Sequence, residues 1–66
     1  MKWDIVEKEN GTPKSWRTEL INNQFVWIKL NTNGTYDIMV NKGYILTRCK
    51  TLINAKRWVK SKFITL

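Results

Sequence analysis

The sequence predicts an α+β domain: an antiparallel sheet of four to five strands with one C-terminal helix packed on one of its faces. Residues 51–66, TLINAKRWVKSKFITL, place Leu52, Ala55, Val59, Phe63 and Leu66 at three- and four-residue steps, on one side of a 3.6-residue period. Before them, short apolar segments alternate with Asn-Gly, Asn-Asn and Lys-Gly pairs, the residues that connect hairpin strands.

The 66 residues form one domain, with the sheet in 2–50 and the helix in 51–64. A chain of this length buries only about 60% of its extended surface. Four Trp, two Tyr and two Phe enlarge the thin core that results, since each aromatic buries roughly 150–250 Å².

Taken in order, residues 2–7 alternate as a half-buried strand, with Trp3 and Ile5 on one side. The following ENGTPKS carries Asn10-Gly11 and Thr12-Pro13 and reads as an exposed, mobile loop. Further strands are expected at 16–21, 25–31, 35–41 and 44–50. Asn33-Gly34 has the composition of a type I′ turn, with Asn22-Asn23 and Lys42-Gly43 as weaker versions. Thr51 stands where an N-cap hydroxyl belongs, with Asn54 as its weak capping-box partner.

Two-residue loops at those three turns fix a register. Trp27 then faces Val40, Lys29 faces Ile38, Leu20 faces Phe25, Thr18 faces Trp27 and Val40 faces Ile45. Asp37 falls opposite Arg48, a cross-strand ion pair. One face carries Trp16, Leu20, Phe25, Trp27, Tyr36, Ile38, Val40, Ile45 and Cys49, and is expected under the helix. The other carries Arg17, Glu19, Val26, Ile28, Leu30, Asp37, Met39, Asn41, Tyr44, Leu46 and Arg48. Its aliphatic middle is left without a cover, unless Trp3 and the first strand fold across it or the faces are exchanged; uncovered apolar surface of this extent marks a protein contact or a dimer.

Charge is distributed unevenly. Net charge is +7, yet the five cations and five carboxylates of residues 1–37 cancel. Lys42, Arg48, Lys50, Lys56, Arg57, Lys60 and Lys62 have no acidic neighbour in sequence, which gives the back half a field suited to a polyanion. A Lys-rich helix can equally be a solvated face. Trp58, beside the helical stripe, either completes the core or stands part exposed near Lys62 for base stacking.

Catalytic chemistry is sparsely provided. The chain has no His and one Cys, so the commonest acid-base group is missing and a zinc site cannot be assembled. Cys49 reads as a small core residue, the carboxylates suggest no pair, and Gly11, Gly34 and Gly43 are single turn glycines rather than a phosphate-cradling loop. The expectation is a non-enzyme without cofactor or metal. One cysteine, no signal-peptide pattern and no apolar run of about 20 residues point to a soluble, cytoplasmic protein that makes no membrane contact.

The ending GYILTRCKTLINAKRWVKSKF resembles the close of many small phage and mobile-element proteins, where a last strand leads through a Thr-Leu cap into an Ala-Lys-x-aromatic helix. With the hairpin-linked strands before it, 25–63 looks like the three-stranded-sheet-plus-helix DNA-binding domain of phage and transposon integrases. The resemblance implies an open sheet face set in the major groove, here Arg17, Ile28, Leu30, Met39, Tyr44, Leu46 and Arg48. Most of these are aliphatic, and Asn54 replaces the acidic residue common before the Ala.

Two functions follow as expectations. In the first, a small phage-type accessory protein, acting in the host cytoplasm, binds nucleic acid, DNA rather than RNA, with Lys42, Arg48, Lys50, Lys56, Arg57 and Lys60 on phosphates. In the second, an inhibitor or adaptor docks on a host protein through Val26, Ile28, Leu30, Met39, Tyr44 and Leu46, so that replacing Ile28 and Met39 by Lys abolishes function and spares the fold. A homodimer is compatible with both.

Overall fold

A computed structural model describes residues 2–20, 23–40 and 43–63. Strands β1 (Asp4–Glu9), β2 (Thr12–Glu19), β3 (Phe25–Leu30), β4 (Tyr36–Val40) and β5 (Tyr44–Cys49) form one antiparallel meander, each strand beside its sequence neighbours, and helix α1 (Leu52–Phe63) follows. The predicted fold class is the observed one. No helix among the described residues is long and apolar enough to cross a membrane.

The ENGTPKS segment is not the loop expected. Asn10 and Gly11 have φ of +52° and +80° and close a tight turn, with Glu9 directly opposite Thr12. Positive φ at both central positions is the type I′ requirement, so this Asn-Gly pair supplies the turn that the sequence suggested for Asn33-Gly34. Pro13 is tolerated inside β2 because the strand's pairing with β3 begins only at Ser15.

At Asn33-Gly34 the chain does something else. Gly34 N–H donates to Asn31 C=O at 3.0 Å and Asn31 N–H donates to Thr35 C=O at 2.8 Å, while only Gly34 of the central pair has positive φ, +89°. This is a three-residue loop, a type I turn closed by a left-handed glycine. Thr35 N–H and Oγ1–H both donate to Asn33 Oδ1 and hold it. The β2–β3 connection is also longer than expected, with Leu20 N–H donating to Gln24 C=O.

Each extra loop residue shifts its register by one. Trp27 lies opposite Met39 and Arg17, and Ile28 opposite Ile38 and Trp16. A one-residue slip moves a strand's side chains to the other face. The slips on either side of β3 cancel for β2 and β4, whose inward residues are as predicted, but they invert β3. Val26 and Ile28, expected on the open face, are fully buried on the helix side, and Phe25 and Trp27, expected under the helix, face away from it. A bulge at Leu46 changes β5 as well: Asp37 pairs with Arg48 as predicted, but Val40 pairs with Tyr44 and Ile45 joins Met39 on the open face.

The core consists of Trp16, Val26, Ile28 and Ile38 against Ala55 and Val59, with Leu20, Leu30, Tyr36, Val40, Cys49, Leu52, Trp58 and Phe63 packed around it. Trp16 and Tyr36 add a tilted aromatic pair with centroids 5.9 Å apart. Thr51 caps the helix as expected: its Oγ1 accepts the Asn54 N–H at 3.1 Å. The predicted stripe faces the sheet, except that Leu66 lies outside the described residues. Trp3 packs on this same side rather than across the open face, anchored where Thr18 Oγ1–H donates to Lys2 C=O at 2.6 Å.

Because Ile28 is wholly buried, Ile28→Ala should destabilise the protein by about 2–5 kcal/mol, read from urea denaturation. Ile28→Lys should leave no folded protein by circular dichroism, since a domain this size holds only about 3–10 kcal/mol in total.

Candidate nucleic-acid interface

Helix α1 supplies the densest unpaired charge. Lys56 and Lys60 lie one turn apart with Arg57 beside them, and all three line a shallow cleft whose remaining wall is Trp3. Arg57 and Lys60 are exposed and Lys56 is half-buried, as a long cationic side chain can be while its charge stays in water. Among the described residues the one salt bridge is Arg48–Asp37, so no described carboxylate lies within 4.0 Å of these cations. Like charges one turn apart oppose helix formation by a few tenths of a kcal/mol, a cost tolerated here without a neutralising partner.

Trp3 was absent from the sequence-level candidates. Its strand was visible in the alternation of residues 2–7, but its place beside α1 depends on the Lys2–Thr18 hydrogen bond and on core packing, neither of which has a local signature. On the helix's other flank, Lys62 Nζ stands 5.9 Å from the Trp58 ring centroid and Trp58 meets Phe63 edge-on at 6.3 Å. Trp58 packs against the core, the first of its two expected roles, with the Lys62 ammonium within cation–π range of its ring.

The last strand does not extend this cluster. Arg48 shares the open face with Asp37, on the side of the sheet away from α1, and its Nε donates to Asp37 Oδ1 at 2.8 Å. Its charge is thereby matched, so the expected continuous surface of last strand and helix is divided by the sheet itself. Lys50 is exposed just before the cap. Lys42 lies outside the described residues. Glu7 and Glu9, which could have offset the helix charge, sit instead with Lys14 and Lys29 at the end of the sheet.

The aliphatic docking face is corrected in the same way. Val26 and Ile28 have no exposed surface, Leu30 packs against the core, and Leu46 sits unpaired in the bulge, lining a pocket with Val40 and Phe63. Tyr44 is exposed and Met39 alone of the six lies within the open face. What that face presents is Phe25 and Trp27, with centroids 5.9 Å apart, next to Met39 and Ile45, and the Arg17 guanidinium lies over Phe25 at 4.8 Å.

Cys49 is half-buried opposite Tyr36 and free. Among the described residues no group of three or more His, Cys, Asp or Glu is placed to hold a metal ion. Comparison with protein-family models, with characterised proteins and with solved structures finds no match to this chain.

The Arg48–Asp37 pair is exposed on one side and buried on the other, with side-chain exposures of 63% and 8%. An exposed ion pair contributes about 0–1 kcal/mol, whereas a buried carboxylate left without its partner costs about 1–3 kcal/mol. Arg48→Ala should therefore destabilise by about 1–3 kcal/mol in chemical denaturation, and Arg17→Ala, which strands no buried acid, by less.

Proposed function

We propose that this protein is a small non-catalytic accessory protein of phage type that binds nucleic acid, duplex DNA before RNA, through one face of α1 in the host cytoplasm. The observation that carries the reading is the grouping of Lys56, Arg57 and Lys60 around one cleft with Trp3, with no described carboxylate in reach. Cations in this arrangement gain most from a partner that is itself a dense row of anions, because each phosphate neutralised releases condensed counterions. The flat indole of Trp3 beside them adds a surface for a sugar or an unstacked base.

Arg48 falls outside this site, since Asp37 already holds it and the sheet separates it from the helix. The reading as a docking module for a host protein is left without its two central residues, Val26 and Ile28. Phosphate contacts of this kind carry little base readout, so sequence preference should be weak.

Three phosphates neutralised on B-DNA should make the observed association constant fall as about the −2.7 power of salt concentration. Fluorescence anisotropy with a labelled duplex, titrated at several salt concentrations, reads this slope. Replacing Lys56, Arg57 and Lys60 together by Ala should flatten it almost completely and leave the far-ultraviolet spectrum unchanged. Salt-independent binding, or a triple variant that binds like the wild type, would end the proposal.

A further inference from the structure

The open sheet face, which the nucleic-acid reading does not use, is organised in rows. Opposed residues on neighbouring strands project to the same side, so Ser15, Lys29, Asp37 and Arg48 form one row from β2 to β5, and Arg17, Trp27, Met39 and Ile45 the next. Phe25 adjoins Trp27, and the Arg17 guanidinium lies over the Phe25 ring. The apolar part is therefore a continuous strip in the middle of the sheet, flanked by charge. Helix α1 lies on the opposite side of the sheet, so no described element covers this strip.

Its charge argues about the occupant. The cations Arg17, Lys29, Arg48 and, on β1, Lys8 are matched on the same side by Glu19, Asp37, Asp4 and Glu7. With no cationic excess the face has little attraction for a polyanion, unlike α1. It does complement itself. A two-fold axis parallel to the strands and midway between β3 and β4 lays β3 of one copy over β4 of the other. Lys29 then stands over the Arg48–Asp37 pair of the second copy twice, by symmetry, with the Asp37 side chain itself 8% exposed, and Trp27 meets Met39. An axis across the strands would set each strand over its own copy and leave Lys29 over Phe25, without that carboxylate.

We infer that this face is the contact between two copies of the chain, packed sheet on sheet about an axis parallel to the strands, with both helices outward. Such a contact is isologous and closes at two copies. Four strands at about 4.8 Å and six residues at about 3.3 Å give a plate of roughly 20 by 20 Å on each copy, about 800 Å² in total, which is below the range of stable interfaces and in that of weak, transient ones. The dimer is accordingly weak and concentration-dependent, and each copy keeps its α1 cations free on the outside.

Sedimentation equilibrium on nuclease-treated protein, from about ten micromolar to about one millimolar, is the test. The wild type should pass from monomer to dimer across that range. Trp27→Ser should weaken association about tenfold or more. Lys29→Ala, at an exposed position, should weaken it too by removing the cation that stands over Asp37 of the second copy. A wild type that stays monomeric throughout overturns the inference, as does a dimer that neither substitution weakens. Neither outcome bears on the salt-dependent binding assigned to α1.

Discussion

The structure depends on Val26 and Ile28 turning toward the helix. A chain with one helix can dry only one face of a five-stranded sheet, and the central strand decides which of its side chains receive that shelter. Placing Val26 and Ile28 beside Ile38 gives Ala55 and Val59 a smooth β-branched surface to settle on. The small side chain of Ala55 lets the helix come close, and close packing returns more dispersion and apolar burial than a looser arrangement over bulky indoles would. Once the helix is seated in this way, Lys56, Arg57 and Lys60 have to point outward, because its inner stripe is already committed.

The same choice determines what the other face offers. With the aliphatic residues of β3 turned inward, Phe25 and Trp27 are turned outward, and neighbouring Met39 and Ile45 extend the apolar strip. Charge is divided along the same line. The helix side ends in cations with no described partner, while on the open face Arg48 is tied to Asp37 and Lys29 stands opposite the same carboxylate. One surface is thus suited to a strongly anionic partner and the other to a balanced one. The sheet between them keeps the two from acting as a single site.

The helix was legible because its apolar period is unambiguous and its cap is local to Thr51 and Asn54. The sheet's existence was legible from its turns, but its register was not. FVWIKL is apolar at nearly every position, so alternation cannot tell which side of β3 faces inward, and the decision passed to turn length. Asn33-Gly34 has the composition of a two-residue loop, yet Asn31 and Thr35 add hydrogen bonds that favour a three-residue one. The Asp37–Arg48 pair was foreseen because it lies on the regular side of the Leu46 bulge, and Ile45 was misplaced because it lies beyond it. The helix cations were readable from composition alone. The place of Trp3 was not, since it depends on which side of the sheet the start of the chain occupies, whereas the loss of Arg48 to Asp37 was implicit in the ion pair already foreseen.

The most direct measurement of the central claim is a nitrogen-15 NMR titration of the labelled protein with a short DNA duplex at low salt. The account predicts that the amides of Lys56, Arg57 and Lys60 and the indole N–H of Trp3 shift together and saturate, while the Trp27 indole and the Arg48 amide stay in place. Shifts confined to Trp27, Phe25 and Arg48, with the helix unmoved, would show that the open sheet face meets the nucleic acid and would contradict it.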